Sequence, residues 1–193
     1  FRYLGAEVPV DGLDTVASTG ERLAGILNPI TNSKLSPDAK VEVLETYGLS
    51  RLTYRLVHGE TRPLGPSYVT EDRLIRETVK RWCNAPRRST SGMIYAPARK
   101  GGLGVTELKS FIPTLRAQAY HKYISSSDPM ISSLATHVKL DRRVERLVRG
   151  KKLTALKPDG TLKPGRHWRD AHVSSWIQGD KGARFFVEGL GAN

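Results

Sequence analysis

The residues of this chain best suited to chemistry are clustered cations. Arg73, Arg76 and Lys80 follow i, i+3, i+7 spacing, so a helix would place them on one face. More cations follow within a short fold-back of the chain. Guanidinium and ammonium groups gathered in this way bind phosphate oxygens. The sequence therefore predicts a phosphate-binding surface formed by Arg73, Arg76, Lys80, Arg87, Arg88, Arg99 and Lys100.

Two further groups of cations are weaker candidates for the same role. Arg51 and Arg55 lie four residues apart, hence on one helix face. From Lys139 to Asp170 there are eleven cations and four acids, a net charge of +7. The candidates in this segment are Arg142, Arg143 and Arg146, followed by Arg149, Lys151 and Lys152. It is either a second nucleic-acid patch or a nuclear-import signal, because both have this composition.

The overall charge favours a polyanionic partner. The 193 residues include 31 Lys and Arg against 19 Asp and Glu, a formal charge of +12 with a pI near 10.0. Such an excess indicates nucleic acid or an acidic membrane surface, although scattered solvated cations can also produce it. No apolar run approaches the roughly 20 residues of a membrane span. Cys83 is the only cysteine, which excludes an intrachain disulfide and favours a reducing compartment.

Other sequence patterns associated with catalysis or metal binding are absent, or are better explained by a packing role. There is no Gly-x-Ser-x-Gly and no adjacent Asp pair to hold two metal ions. His167 and His172 are five apart, which does not suit a metal pair, and we expect them to form a packed or stacking face with Trp168 and Trp176. We predict a binding protein with no catalytic residue, metal site or cofactor.

The Gly101-Gly102-x-Gly104 sequence lacks the residues of a nucleotide-binding loop. It predicts a tight turn with positive φ angles. A hybrid stays open, in which exposed backbone amides beside Arg99 and Lys100 contact a phosphate.

The elements that would position these cations are mainly helical. Residues 1–10 predict a short strand ended by a turn, and residues 13–30 a helix closed by Pro29 and Asn32-Ser33. Ser36-Pro37-Asp38 predicts a helix start with Ser36 as cap. Helical spacing continues past Gly48 toward residue 58. The sequence leaves open whether Gly48 divides this stretch into two helices.

The clearest helix pattern covers residues 68–84, where Ile75, Val79, Trp82 and Cys83 form an apolar stripe. Residues 92–96 predict a short strand or extended segment. A helix from residue 107 carries Pro113, which predicts a kink or restart. Further helices are predicted from Asp128-Pro129 to 137, over 139–148, and over 165–177, the last burying Trp168, Ala171 and Trp176.

Several motifs in series resemble the thumb of non-LTR retrotransposon reverse transcriptases. They span residues 1–106 and comprise Tyr3-Leu4-Gly5, Leu35-Ser36-Pro37 with Lys40 and Leu44, Ser50-Arg51-Leu52-Thr53-Tyr54, Ile75-Arg76 to Val79-Lys80-Arg81-Trp82, Tyr95-Ala96-Pro97 and Gly101-Gly102-Leu103-Gly104. Trp168-Arg169, His172-Val173, Trp176 and Gln178-Gly179 resemble the segment after the thumb in site-specific elements that carry a restriction-like endonuclease.

This resemblance implies a helical-bundle thumb that holds an RNA template and a DNA primer or target during target-primed reverse transcription. It implies a strand joining the palm at 1–9, a thumb at 10–106 and a helical extension at 107–193. The catalytic Tyr/Phe-x-Asp-Asp segment is not in this sequence. We therefore expect a piece of a longer nuclear polypeptide, with the divalent metal on the palm, no activity of its own and no membrane partner. A stand-alone RNA- or DNA-binding module and an adaptor docking an acidic protein stay open as alternatives.

Overall fold

The structure is a computed structural model that describes residues 2–3, 6–7, 18–58, 68–170 and 172–173. It is mainly helical in these residues, which confirms the predicted fold class. The helices are α1 (Ser18–Asn32), α2 (Pro37–Val43), α3 (Ser50–His58), α4 (Val69–Trp82), α5 (Ser91–Tyr95), α6 (Leu108–Ile124), α7 (Pro129–His137) and α8 (Leu140–Gly150). A π-helical turn (Leu44–Leu49) and a 3-10 turn (Ala98–Lys100) complete the helical elements.

Near the N-terminus the structure describes two short strands where the sequence predicted one. They are β1 (Arg2–Tyr3) and β2 (Ala6–Glu7), which pair antiparallel with Arg2 opposite Glu7 and Tyr3 opposite Ala6.

The chain divides into two interleaved units. The first contains Phe1–Val16, Arg51–Tyr68 and Leu108–Trp168, and the second contains Ala17–Ser50, Val69–Glu107 and Arg169–Asn193. The division into a strand at 1–9, a thumb at 10–106 and an extension at 107–193 stays a prediction.

In the second unit, α1 packs against α4. Leu23 and Leu27 of α1 are buried, as are Ile75 and Val79 of α4. Burying an aliphatic side chain of this size stabilises a fold by about 1.5–3 kcal/mol. The apolar stripe predicted for 68–84 is therefore confirmed as the core face of α4, although Cys83 is only half-buried.

Two residues with positive φ delimit α4. Tyr68 precedes its first residue with φ 53°, and Asn84 follows its last turn with φ 49°. The amide of Asn84 donates to the carbonyl of Arg81 (3.3 Å), and that of Ala85 donates to the carbonyl of Lys80 (2.9 Å). These two bonds and the left-handed residue constitute a Schellman motif, and Pro86 then prevents the helix from continuing.

Helical backbone continues through Gly48, which answers the question that the sequence left open. Gly48 lies in the π-helical turn between α2 and α3. A Cβ atom at this position would lie 2.7 Å from Cγ2 of Ile26 in α1. A residue without a side chain therefore suits the close approach of α1, because any Cβ here would force the Ile26 side chain to shift. Ser36 is the N-cap residue of α2, as predicted, but its side chain makes no capping hydrogen bond.

The strand predicted over 92–96 is wrong, because these residues lie in the short helix α5 and its C-cap. The side chain of Thr90 accepts a hydrogen bond from the amide of Gly92 (3.2 Å) and caps the helix. Met93, Ile94 and Tyr95 are all buried. A short run buried on every side has no period that separates strand from helix. The residue before Pro97 is extended, as expected before proline, and α5 ends there.

In the first unit, α6 packs against α7 and α8. Its core contains Ala117 of α6 together with Val144, Val148, Leu153 and Leu156. The predicted helix starting at Asp128-Pro129 is confirmed as α7, and the basic helix over 139–148 is confirmed as α8.

Within α6, Pro113 is buried in a single uninterrupted helix, so the predicted restart does not occur. The Asp128 carboxylate accepts a hydrogen bond from the amide of Met130 (2.8 Å) and caps α7. Pro158-Asp159-Gly160 forms the predicted turn, with Gly160 at φ 90°.

The helix predicted over 165–177 is wrong at its start. Gly165 adopts φ 68°, and the amide of Arg166 bonds back to the carbonyl of Lys163. This turn delays the helix, which begins at Asp170. Trp168 is half-buried rather than buried. Ala171 and Trp176 lie outside the residues described.

Candidate nucleic-acid interface

A cationic groove of about 740 Å³ runs along the outer face of α4 and the loop that follows it. Because its helical residues recur three and four apart, they lie together on the side of α4 away from its buried stripe. The groove is lined by Arg73, Arg76, Glu77, Lys80, Arg81, Asn84, Ala85 and Arg87. Five cations and one acid give this lining a net charge of +4.

Lys80 holds the loop after α4 in place. Its ammonium donates hydrogen bonds to the carbonyls of Arg87 (2.7 Å) and Ser89 (2.6 Å). Because an ammonium has three donors, one donor is left after these two bonds. The loop returns toward the helix, and Arg87 therefore joins the residues of α4 along the groove.

The ammonium of Lys80 is more easily deprotonated than that of an ordinary lysine. Partial burial lowers its pKa, and the neighbouring charge of Arg76 lowers it further. Glu77 acts in the opposite direction. The groove therefore contains four guanidinium groups and one amine that can lose its charge at alkaline pH.

Arg76 is held by a buried tyrosine. Its Nη1 donates a hydrogen bond to the hydroxyl of Tyr95 (3.1 Å). Burial and the charge of Asp72 raise the pKa of the Tyr95 phenol, so the hydroxyl stays protonated and accepts this bond. Arg73, Arg81 and Arg87 are exposed. The groove thus combines two fixed cations with three exposed ones.

Four of the seven cations of the main predicted cluster therefore come together at one groove. They are Arg73, Arg76, Lys80 and Arg87. Arg88, Arg99 and Lys100 are exposed but do not line it. Arg51 is exposed in α3. The side chain of Arg55 lies outside the part of the chain that the structure describes.

The glycine-rich segment is a tight turn, as predicted. Gly101 and Gly104 adopt φ angles of 79° and 72°. A Cβ atom on Gly102 would lie 2.2 Å from the carbonyl oxygen of Ala96. Only glycine fits this close approach.

The alternative in which these backbone amides contact a phosphate is not supported, because the amides have partners inside the protein. The amide of Gly102 donates to the Pro97 carbonyl (3.2 Å), and that of Gly104 donates to the Ala96 carbonyl (2.8 Å). The Gly101 amide likewise donates to the carbonyl of Ala98 (2.9 Å). Cations near this turn would have to bind an anion through their side chains alone.

A second cationic surface lies on α8. A cavity of about 510 Å³ is lined by Arg142, Glu145, Arg146, Arg149 and Gly150. Arg142, Arg146 and Arg149 are exposed and share one helix face by their spacing, whereas Arg143 is half-buried and does not line the cavity. Arg149 forms an ion pair with Glu145 (2.8 Å).

A partly buried polar network in the second unit was not predicted from the sequence. The Glu45 carboxylate accepts hydrogen bonds from the amide (2.6 Å) and hydroxyl (2.9 Å) of Thr106. Burial raises the pKa of Glu45, while the Thr106 hydrogen bonds and the charge of Arg169 oppose that rise. Arg169 in turn donates to the carbonyl of Gly104 (2.7 Å). The network ties the segment that begins at Arg169 to the end of the glycine turn.

The two histidines of the predicted histidine and tryptophan face contact different residues in the structure. His167 contacts Trp168, with ring centroids 5.6 Å apart. His172 instead contacts the Tyr95 ring (4.8 Å) and hydrogen-bonds to Glu107 (3.1 Å). Trp176 lies outside the described residues.

Two residues escaped the sequence reasoning for different reasons: Arg81, which lines the groove, and the buried Tyr95, which bonds to Arg76. Arg81 lies eight residues after Arg73, so helical spacing alone could have identified it. Tyr95 is separated from Arg76 by nineteen residues, and no periodic pattern connects them.

Among the described residues, no cluster of His, Cys, Asp and Glu could hold a metal ion. Nor is any helix in those ranges long and apolar enough to cross a membrane. Burial raises the pKa of the half-buried Cys83 thiol, which disfavours the reactive thiolate.

Comparison with known proteins shows similarity to Pol polyproteins of R2 retrotransposable elements. The chain is 30% identical over 171 residues to a retrovirus-related Pol polyprotein from the type-1 retrotransposable element R2 of Popillia japonica, an alignment that covers 89% of this chain and 22% of the relative. It is 32% identical over 93 residues to the Nasonia vitripennis protein of the same description, covering 48% of this chain and 9% of the relative. It is 30% identical over 116 residues to the retrovirus-related Pol polyprotein from the type-2 retrotransposable element R2DM of Drosophila melanogaster. This alignment covers 60% of this chain and 11% of the relative.

No protein-family model matches the chain. The chain spans about a fifth or less of the length of these relatives. The similarities support a protein related to the retrovirus-related Pol polyproteins of R2 retrotransposable elements.

Proposed function

We propose that this chain is the thumb, with the segment after it, of a non-LTR retrotransposon reverse transcriptase of the site-specific type. Its role is to hold the duplex of RNA template and DNA primer during target-primed reverse transcription. The polymerase and endonuclease active sites would belong to other parts of the polypeptide, and the chain would act in the nucleus, where the DNA target lies.

The observation that carries this proposal is the α4 groove. Its net charge of +4 is concentrated on one helix face and the adjoining loop. Similarity to R2 Pol polyproteins over 89% of the chain supports a polynucleotide as the anion. An acidic protein partner would also match the charge, but that similarity gives no reason to prefer it.

The groove residues suit contacts with a phosphate backbone rather than with bases. Arginine guanidinium groups bind phosphate oxygens in a bidentate manner, and such contacts fix the position of a duplex without reading its sequence. A polymerase thumb needs this property because every sequence must pass through it. Glu77 lies among the cations and weakens the attraction locally.

The α8 surface is a second proposed nucleic-acid contact. Arg142, Arg146 and Arg149 are its exposed cations, and Arg149 is partly neutralised by Glu145. We assign Arg143 a smaller role because it is half-buried. Arg51, Arg88, Arg99 and Lys100 are exposed and line neither cavity, and their contacts with nucleic acid stay a prediction, as does that of Arg55.

The test is binding of the 193-residue chain to matched RNA–DNA hybrid, DNA and RNA duplexes over a range of salt concentrations. The proposal predicts salt-dependent binding to the hybrid that weakens when groove arginines are replaced by alanine. Strong preference for one base sequence would favour a stand-alone module. Absence of salt-dependent binding to any nucleic acid would favour a protein–protein adaptor.

A further inference from the structure

Tyr95 is fully buried, yet its hydroxyl reaches a residue of the α4 groove. The exposed fraction of Tyr95 is 0%, and its hydroxyl accepts the hydrogen bond from Nη1 of Arg76 at 3.1 Å. The same hydroxyl donates a long hydrogen bond to the backbone carbonyl of Asp72 (3.5 Å). Tyr95 therefore connects one groove cation to the backbone at the start of α4.

The ring of Tyr95 is itself held in place. The imidazole of His172 lies against it with ring centroids 4.8 Å apart and the planes tilted by 53°. His172 is hydrogen-bonded to the carboxylate of the buried Glu107 (3.1 Å). Because neighbours fix both ring and hydroxyl, the hydroxyl presents one position to the guanidinium of Arg76.

We propose that Tyr95 is a positioning residue that orients the guanidinium of Arg76 for phosphate binding in the α4 groove. An arginine on a solvent-exposed helix face samples many rotamers, and binding must then select one of them. A hydrogen bond made before the ligand arrives removes part of this entropic cost. The remaining guanidinium donors stay available, since one of five is used.

This inference rests on the proposed function, because it needs a phosphate-bearing ligand in the groove. The competing explanation is that Tyr95 only fills the core between α4 and α5. In that case loss of its hydroxyl would affect folding, and any effect on binding would not depend on Arg76.

A double-mutant cycle separates these explanations. We would measure the Kd of the full chain for a fluorescent RNA–DNA hybrid duplex with Tyr95→Phe, Arg76→Ala and the double variant. Tyr95→Phe should raise Kd roughly three- to tenfold in the otherwise unchanged protein, as expected when binding must itself immobilise one rotamer-rich side chain. It should leave Kd nearly unchanged once Arg76 is alanine. Tyr47→Phe, at an exposed tyrosine of the same unit, is the matched control.

Equal effects of Tyr95→Phe in both backgrounds would overturn the positioning role and leave the proposed function intact. No effect of Arg76→Ala on Kd or on its salt dependence would remove Arg76 from the interface, and the inference with it. Loss of salt-dependent binding by the unchanged chain would instead contradict the proposed function itself. If Tyr95→Phe does not fold, His172→Ala removes the ring contact while keeping the hydroxyl. It should show the same dependence on Arg76, and independence would refute the proposal.

Discussion

Replacement of the three exposed groove arginines gives the most quantitative prediction. Arg73, Arg81 and Arg87 line the groove and are exposed, so alanine at these positions removes charge with little effect on the core. Surface substitutions of this kind change the free energy of unfolding by only about 0.5 kcal/mol. Any large change in binding by the triple variant must then come from the interface.

The expected magnitude follows from counterion release. Each phosphate contact adds about 0.9 to the slope of log K against log salt. If all three arginines contact phosphate, the triple variant loses about 2.7 from that slope. At 0.1 M salt each lost contact weakens binding about eightfold, so the three together weaken it about 500-fold.

The assay is fluorescence anisotropy with an RNA–DNA hybrid duplex between about 50 and 200 mM salt. A control variant carries alanine at three exposed lysines outside both cationic surfaces, Lys34, Lys122 and Lys163. This control loses the same formal charge, but its slope of log K against log salt should stay close to that of the unchanged chain. Equal loss of slope in the two variants would refute the groove assignment, because the general charge of the protein would then explain binding.

Four further predictions concern single residues. Glu77→Gln should strengthen duplex binding several-fold in the same anisotropy assay, because it removes the one acid of the groove; weaker binding would contradict this. Because the Lys80 pKa is lowered, duplex binding should weaken as the pH rises toward the ordinary lysine range. Lys80→Arg should abolish that pH dependence. If the pH profile of binding is the same in this variant as in the unchanged chain, Lys80 is not its cause. Gly102→Ala should lower the free energy of unfolding by about 1–3 kcal/mol or more, because its Cβ would overlap the Ala96 carbonyl. Gly25→Ala has open space around its Cβ and should instead raise that free energy by about 0.5–1 kcal/mol. Denaturant unfolding measures both changes.

The elements predicted correctly have long periodic patterns or strong local signals. The core stripe of α4 repeats over more than two turns, and Asp128-Pro129 is a strong helix start. The error at 92–96 has the opposite cause, since five residues buried on all sides carry no period. The late start of the helix predicted over 165–177 depends on Gly165, whose left-handed conformation interrupts a pattern that otherwise looked helical.

The cationic face of the site was predictable because helix geometry relates Arg73, Arg76 and Lys80 directly. The hydrogen bonds between residues distant in the sequence were not predictable. Tyr95 and Arg76 are nineteen residues apart, and Glu45 and Thr106 are sixty-one apart, so only tertiary folding brings them together. The exclusion of Arg143 from the exposed face of α8 likewise depends on packing, which charge counting does not include.

The most direct test of the central claim is photocrosslinking from the groove itself. Glu77 is exposed and lies among the groove cations, so a photoreactive phenylalanine analogue at this position faces any bound duplex. The matched control places the same analogue at the exposed Leu162. The account predicts salt-sensitive crosslinks to an RNA–DNA hybrid from position 77 and few from position 162. Crosslinks of equal yield at both positions, or none at position 77 under conditions where the chain binds the duplex, would contradict it.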